Sequence, residues 1–277
     1  MSAASSKRDY PSSPDVHYVL PSDALEKQRL ELQHALVRRA LCDGKSVLAP
    51  IVLKPGDRVL DSGTGSGAWA LSLAEEVPSS VSLTAIDIQS KIFPESFPPN
   101  VVFLLHSVTD LPSQWTDTYS LVNQRFLYGA LTGPQWEVTL DELHRVVAPG
   151  GWVQLVEGTI TSGHMGPFST KISNLWSALF AHKGLPVDIM RRLPDMLTQA
   201  GFVNMWSETR ALPLDFRDDL TSAFSAMCGP LFEGGGLGLV SSEQEYDDLI
   251  ACVAKEWDNG QEISASAELT VMYAQKV

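Results

Sequence analysis

From residue 58 to residue 157, short apolar runs alternate with stretches of helical period. RVLDSG, VSLTAIDI, VVFLLHS, YSLVNQRFL and WVQLVEG read as five strands, rich in β-branched and aromatic residues. AWALSLAEEV, stopped by Pro78, and WEVTLDELHRVVA, ending at Pro149-Gly150-Gly151, read as helices between them. Upstream, residues 22–42 form a predicted helix. Ser22 takes the N-cap position, and Leu25, Leu32, Leu36 and Leu41 recur at roughly helical spacing as an apolar face. Beyond Glu157 the rhythm loosens. Helices are expected over 168–183, RRLPDMLTQAGF, 215–228 and SSEQEYDDLIACVAKEW, with Ser241 or Ser242 capping the last. Strands are expected at VNMWSETRAL and AELTVMYAQK, and EGGGLGLV reads as a flexible loop.

Alternating strands and helices of this length predict an α/β fold, a Rossmann-like, parallel, doubly wound sheet. Ligands in such sheets bind beyond the C-terminal ends of the strands. That edge carries Asp61, the glycine turn, Asp87, Ser107, Asn123 and Glu157. Residues 1–18 are expected as a disordered tail, the first sixteen being rich in Ser, Pro and charge. Residues 19–277 are expected as one domain: a cap helix at about 22–42, a core at about 55–160, and a helical lid with the last strands at about 161–277.

The chain of 277 residues is long enough for one substantial α/β core. Its net charge of −13 argues against nucleic acid and anionic membrane as partners. Three scattered cysteines, without metal-ligand spacing, suit reduced thiols in a cytoplasmic or nuclear compartment. No apolar run reaches membrane-spanning length, and the N-terminus lacks the apolar stretch of a secretory signal.

The turn DSGTGSGAW decides what the sheet edge holds. Gly63, Gly65 and Gly67 after a strand make a nucleotide-type turn, with Thr64 inside it and Trp69 on the helix that follows. No GK[ST] follows, so a phosphate loop of that kind is excluded. Asp61 would oppose a pyrophosphate, whereas S-adenosylmethionine lacks phosphate and carries sulfonium and ammonium cations that a carboxylate favours. Asp87, followed by Ile88, ends the second strand 20 residues after Gly67, at the distance of a ribose-binding acid.

In VLDSGTGSG, AIDI, LHRVVAPGGWVQLVE and RRLPDMLTQAGF the chain resembles class I S-adenosylmethionine-dependent methyltransferases. In YVLPSDALEKQRLELQH, WALSLA and VNQRFLYGAL with downstream Trp136 it looks most like the fungal LaeA-like members, acting in secondary metabolism. The resemblance implies a seven-stranded sheet whose last two strands form an antiparallel hairpin. It implies S-adenosyl-L-methionine as donor and S-adenosyl-L-homocysteine as product. It also turns Arg29, Gln33 and His34 toward the cofactor; the alternative is a solvated helix face. Ser107 stands where many such enzymes place an adenine-binding acid, so its hydroxyl or the backbone around Val108 takes that role. Arg125 matches a family arginine, either anchoring the cofactor carboxylate or pairing with Asp61 or Glu157.

Methyl transfer is an in-line displacement and needs alignment and exclusion of water, without a metal. A base is needed only where the nucleophile must lose a proton, and His164 and His182 are the candidates. Tyr18, with His17 beside it, Met165, Phe168, Trp176 and Phe180 are candidates for the acceptor pocket. The expected function is methyl transfer to O, N or S of a small molecule, a secondary metabolite or phenol. A regulator acting through a protein partner and a donor-binding fold catalysing another biosynthetic step are the alternatives. The sequence leaves oligomeric state open.

Overall fold

The computed structural model describes residues 8–10, 18–160, 166–211, 214–258 and 267–277. Helix α1 (Ala24–Leu41) precedes β1 (Arg58–Ser62), α2 (Ala68–Glu76), β2 (Ser82–Asp87), β3 (Val101–Leu105), β4 (Tyr119–Arg125), α3 (Gly133–Val146) and β5 (Val147–Ile160). Then come α4 (Pro167–His182), α5 (Ile189–Gln199), β6 (Val203–Ala211), α6 (Arg217–Ala226), α7 (Cys228–Glu233), α8 (Glu243–Asp258) and β7 (Ala267–Gln275). The strands form one seven-stranded sheet in the order β3-β2-β1-β4-β5-β7-β6. β1 to β5 pair in parallel, and β7 runs antiparallel between β5 and β6. The implied antiparallel pair is therefore present, but not as a hairpin: α6, α7 and α8 separate β6 from β7 in the chain.

The strand order reverses beside β1, whose two neighbours are β2 and β4. At that switch point the connections leave to opposite faces and open a crevice above the strand ends. Residues 59–62 of β1 are buried throughout, as the apolar run requires of a central parallel strand. β5 starts earlier than the sequence suggests, at Val147, with a register shift against β4 between Tyr119 and Leu121. Gly151 makes this approach possible: a Cβ there would lie 2.9–3.0 Å from three backbone carbonyl oxygens.

Helix α1 differs most from expectation. Asp23, not Ser22, is the N-cap, accepting a hydrogen bond from the Glu26 amide at 3.0 Å. Leu25 and Leu32 are about 60% exposed, and the buried positions are Glu26, Arg29, His34, Val37 and Leu41. The helix therefore turns charge inward, because two acids meet Arg29 there. Residues 8–10, expected in a disordered tail, are fixed by contacts. Arg8 pairs with Asp23 at 2.6 Å, and the Tyr10 hydroxyl donates to the Ala226 carbonyl at 2.7 Å. The glycine run after α7 forms tight turns over Gly235–Gly238, with Gly236 and Leu237 in left-handed backbone, not an open loop.

Helices α4, α6, α7 and α8 join α1 in a second apolar cluster beside the sheet, centred on Trp176, Phe180, Phe224, Tyr246 and Trp257. Among the described residues no helix is long and apolar enough to cross a membrane.

Candidate active site

Two adjoining cavities open above the C-terminal ends of β1, β2 and β4. The larger, about 290 Å³, is lined by the glycine turn, Asp61, Asp87, Ser107, Thr109, Arg125 and the 126–131 segment. The smaller, about 70 Å³, lies under the helical lid. Tyr18, Leu30, Gln33 and Phe126 line both and form the boundary between them.

The turn carries the polar side of the larger cavity. Gly63, Gly65 and Gly67 all have positive φ. Gly67 is also sterically required, since a Cβ there would come within 2.6 Å of the Phe103 ring. It is a packing residue and lines neither cavity, as is Trp69, whose indole donates to the Ser46 carbonyl at 3.0 Å within the core.

Asp61 is buried, with both oxygens held: Asn123 donates to one at 2.8 Å and Thr64 to the other at 2.5 Å. Burial raises its pKa against the opposing pull of these donors and Arg125. Asn123 is itself fully buried behind Asp61 and lines neither cavity, so it orients the acid. Asp87 accepts from the Gly65 amide at 2.9 Å and the Gln89 amide at 3.1 Å, which ties the ends of β1 and β2 together. Burial raises its pKa too.

Ser107 shares a 2.7 Å hydrogen bond with Thr109, and both line the larger cavity with Ile88, Ile92, Val108 and Leu131. Asp110 is outside this lining. Arg125 lines the cavity and has no ion-pair or hydrogen-bond partner for its side chain among the described residues, although Asp61 and Glu157 both attract it. Desolvation lowers its pKa, and the half-buried guanidinium borders the cavity. Glu157 lies below, accepting from the Leu127 and Tyr128 amides at 3.1 Å each. Burial outweighs those bonds and Arg125 and pushes its carboxyl up to about 8.

Arg29 turns away from the larger cavity. Its guanidinium binds Glu26 at 2.6 and 2.9 Å and Asp219 of α6 at 2.8 Å. Gln33 donates to the other Asp219 oxygen at 3.0 Å. His34 packs on α2, sharing a 2.8 Å hydrogen bond with Ser72, and lines neither cavity. Burial, with Arg125 and Arg38 nearby, pushes it down to about 3, so it is neutral.

The smaller cavity is walled by Tyr18, Tyr128, Trp176, Phe180 and Phe216, with Arg29, Asp219 and Glu268 also in its lining. Trp176 and Phe180, two of the acceptor-pocket candidates, line this cavity. Phe168 does not: it is 42% exposed on the first turn of α4, where its amide binds Glu256. His182 is exposed beside the α7 end and lines neither cavity. His17, His164 and Met165 lie outside the described residues. Tyr128, Phe216 and Asp219 were not legible as site residues. Phe126 carried no signal either, although it adopts a left-handed backbone (φ 57°) between the cavities.

Residues 32–206 match the family described as "Methyltransferase domain". The chain is also similar to N-methyltransferase tcpN of Claviceps purpurea, 32% identical over 252 residues, 83% of this chain and 88% of that protein. The chain belongs to the S-adenosylmethionine-dependent methyltransferase family.

N-methyltransferase sirN of Leptosphaeria maculans is 38% identical over 149 residues, 53% of this chain and about half (51%) of that relative. The secondary metabolism regulator laeA of Fusarium oxysporum is 32% identical over 145 residues, 50% of this chain and 44% of that protein. Among solved structures, mycolic acid cyclopropane synthase CmaA1 shares the fold with a TM-score of 0.57 at 16% identity, over 93% of this chain and 92% of that one.

The cavity suits the family's donor in this structure. Its lining combines the half-buried Arg125, which has no ion-pair partner among the described residues, with the acids Asp61 and Asp87, and the donor brings a carboxylate as well as an ammonium group and a ribose diol. Among the described residues no group of three His, Cys, Asp or Glu is placed to hold a metal ion.

Proposed function

We propose that this methyltransferase transfers a methyl group to a nitrogen of a small molecule. The observation that carries the reading is the pair of adjoining cavities. One carries the glycine turn and its acids on one side; the other is small and aromatic; they meet at Tyr18, Leu30, Gln33 and Phe126. The N-methyltransferases among its relatives support nitrogen over oxygen or sulfur.

In this reading Arg125 receives the donor carboxylate, Asp61 the ammonium and Asp87 the ribose diol. Ser107, Val108 and Thr109 border the adenine, with Ile88 and Leu131 on its faces. S-adenosylmethionine, when bound, supplies an activated methyl on a sulfonium, so the chain's task is alignment and exclusion of water. Asn123 and Thr64 fix the Asp61 carboxylate before any ligand arrives, which removes its reorganisation from the binding step. Tyr18 and Phe126 shape the boundary, and Trp176, Phe180 and Tyr128 form the dry wall behind the acceptor.

The test is calorimetric titration with S-adenosylhomocysteine, with NAD in parallel, followed by a screen of amines, phenols and thiols with labelled donor. Micromolar binding of the first, no binding of NAD and label on nitrogen are expected. Label only on oxygen or sulfur would displace nitrogen as the target. Binding without turnover on any acceptor would bring the regulatory reading forward.

A further inference from the structure

The boundary between the cavities holds a polar group whose direction is forced. Gln33 lines both cavities. Its Nε2 donates to Asp219 Oδ2 at 3.0 Å, and the other Asp219 oxygen takes the Arg29 guanidinium at 2.8 Å. Arg29 is fixed in turn by the fork to Glu26, and both ends of that pair are buried. An ionised carboxylate only accepts hydrogen bonds. Turning the amide over would set Oε1 against Asp219, oxygen to oxygen. The relay Glu26–Arg29–Asp219 therefore locks the amide with Oε1 directed away from Asp219, and among the described residues Oε1 has no hydrogen-bond partner.

Resting on the methyl-transfer reading above, we propose that Gln33 is a positioning residue that selects an acceptor bearing N–H, a primary or secondary amine on a flat aromatic frame. Oε1 accepts that N–H at the boundary. With its hydrogen held there, the nitrogen's lone pair is left free to face the donor cavity. An amide oxygen orients a proton without removing it, which suits a neutral amine because it attacks with its N–H in place. The new bond joins nitrogen to the methyl carbon, and the electron pair of the broken carbon–sulfur bond stays on sulfur. The product nitrogen, now positively charged, loses its proton to water. The aromatic side chains Tyr18, Tyr128, Trp176, Phe180 and Phe216 supply the surroundings for a flat ring.

The test uses two uncharged probes on one ring: N-methylaniline, which carries N–H, and N,N-dimethylaniline, which does not. Each is titrated into the full chain saturated with S-adenosylhomocysteine. N-methylaniline should bind about fivefold to tenfold tighter, the worth of one hydrogen bond. In Gln33→Met the two should bind alike. A merely structural role would weaken both probes together and leave their ratio unchanged. Equal affinities in the natural protein, no binding of either up to about 10 mM, or a preference that survives Gln33→Met would each overturn the proposal. S-adenosylhomocysteine titration alone separates the two readings: if it binds while the probes fail, only the role of Gln33 falls.

Discussion

The two cavities adjoin, yet they are assembled in opposite ways. Most of the larger one comes from residues 61–135, which leave neighbouring parallel strands at the same edge. The smaller gathers Tyr18, Arg29, Tyr128, Trp176, Phe216, Asp219 and Leu269 from across nearly the whole chain. The first is a motif: strand, turn and helix fix it locally, and its polar groups are backbone amides and nearby acids. The second is a product of packing, held by a buried ion cluster that bridges 190 positions in the chain. If the larger cavity takes the donor and the smaller the acceptor, as proposed, the two functions rest on different parts of the molecule, and each can be damaged separately.

The largest expected effect breaks the packed side. Arg29→Met leaves Glu26 and Asp219 buried without their cation, a loss of about 3–5 kcal/mol in stability by chemical denaturation. A loss below about 1 kcal/mol would mean that α1 and α6 are not clamped by this cluster.

Glu157 joins the two sides, because it holds the turn that carries Phe126, Leu127 and Tyr128. Its pKa, about 8 in the folded chain, stands above the ordinary value of 4.5. The folded state therefore holds a proton that the unfolded chain has released in that window. The resulting stability is complete below about pH 4.5 and is lost as pH rises through about 8, a few kcal/mol in size. Glu157→Gln should remove this part of the pH slope, measured as denaturation midpoints from pH 5 to 9; an unaltered slope would place the titration elsewhere.

On the local side, Asp87→Ala should weaken S-adenosylhomocysteine by roughly 1.5–3 kcal/mol. Arg125→Met should cost a similar amount of affinity with little change in stability, because the half-buried guanidinium has no hydrogen-bond or ion-pair partner among the described residues. Unchanged affinity in either variant would detach that residue from the donor site. The smallest effect belongs to Phe168→Ser, within about 0.5 kcal/mol in stability and without change in acceptor affinity, as suits an exposed side chain outside both cavities.

The strand–helix rhythm, the doubly wound sheet and the glycine turn with Asp61 and Asp87 were legible in the sequence. Each depends on residues close together in the chain, where periodicity and turn chemistry act directly. Even there, position did not give role. Gly67, Trp69, Asn123 and His34 are adjacent to the site in sequence, but they pack or orient rather than line it. Helix α1 misled more deeply. Its leucines predicted an apolar buried face, whereas Leu25 and Leu32 face outward and Glu26 and Arg29 face inward.

The sequence by itself determined the parallel part of the sheet and the glycine-turn edge, because those follow from local pattern and handed connections. The tertiary structure decided how β6 and β7 pair across three intervening helices, which acid meets Arg29, which way the Gln33 amide points and which rings wall the smaller cavity. A charged residue on a helix reads as solvated until its partner is known, and here that partner, Asp219, lies on a helix formed far along the chain.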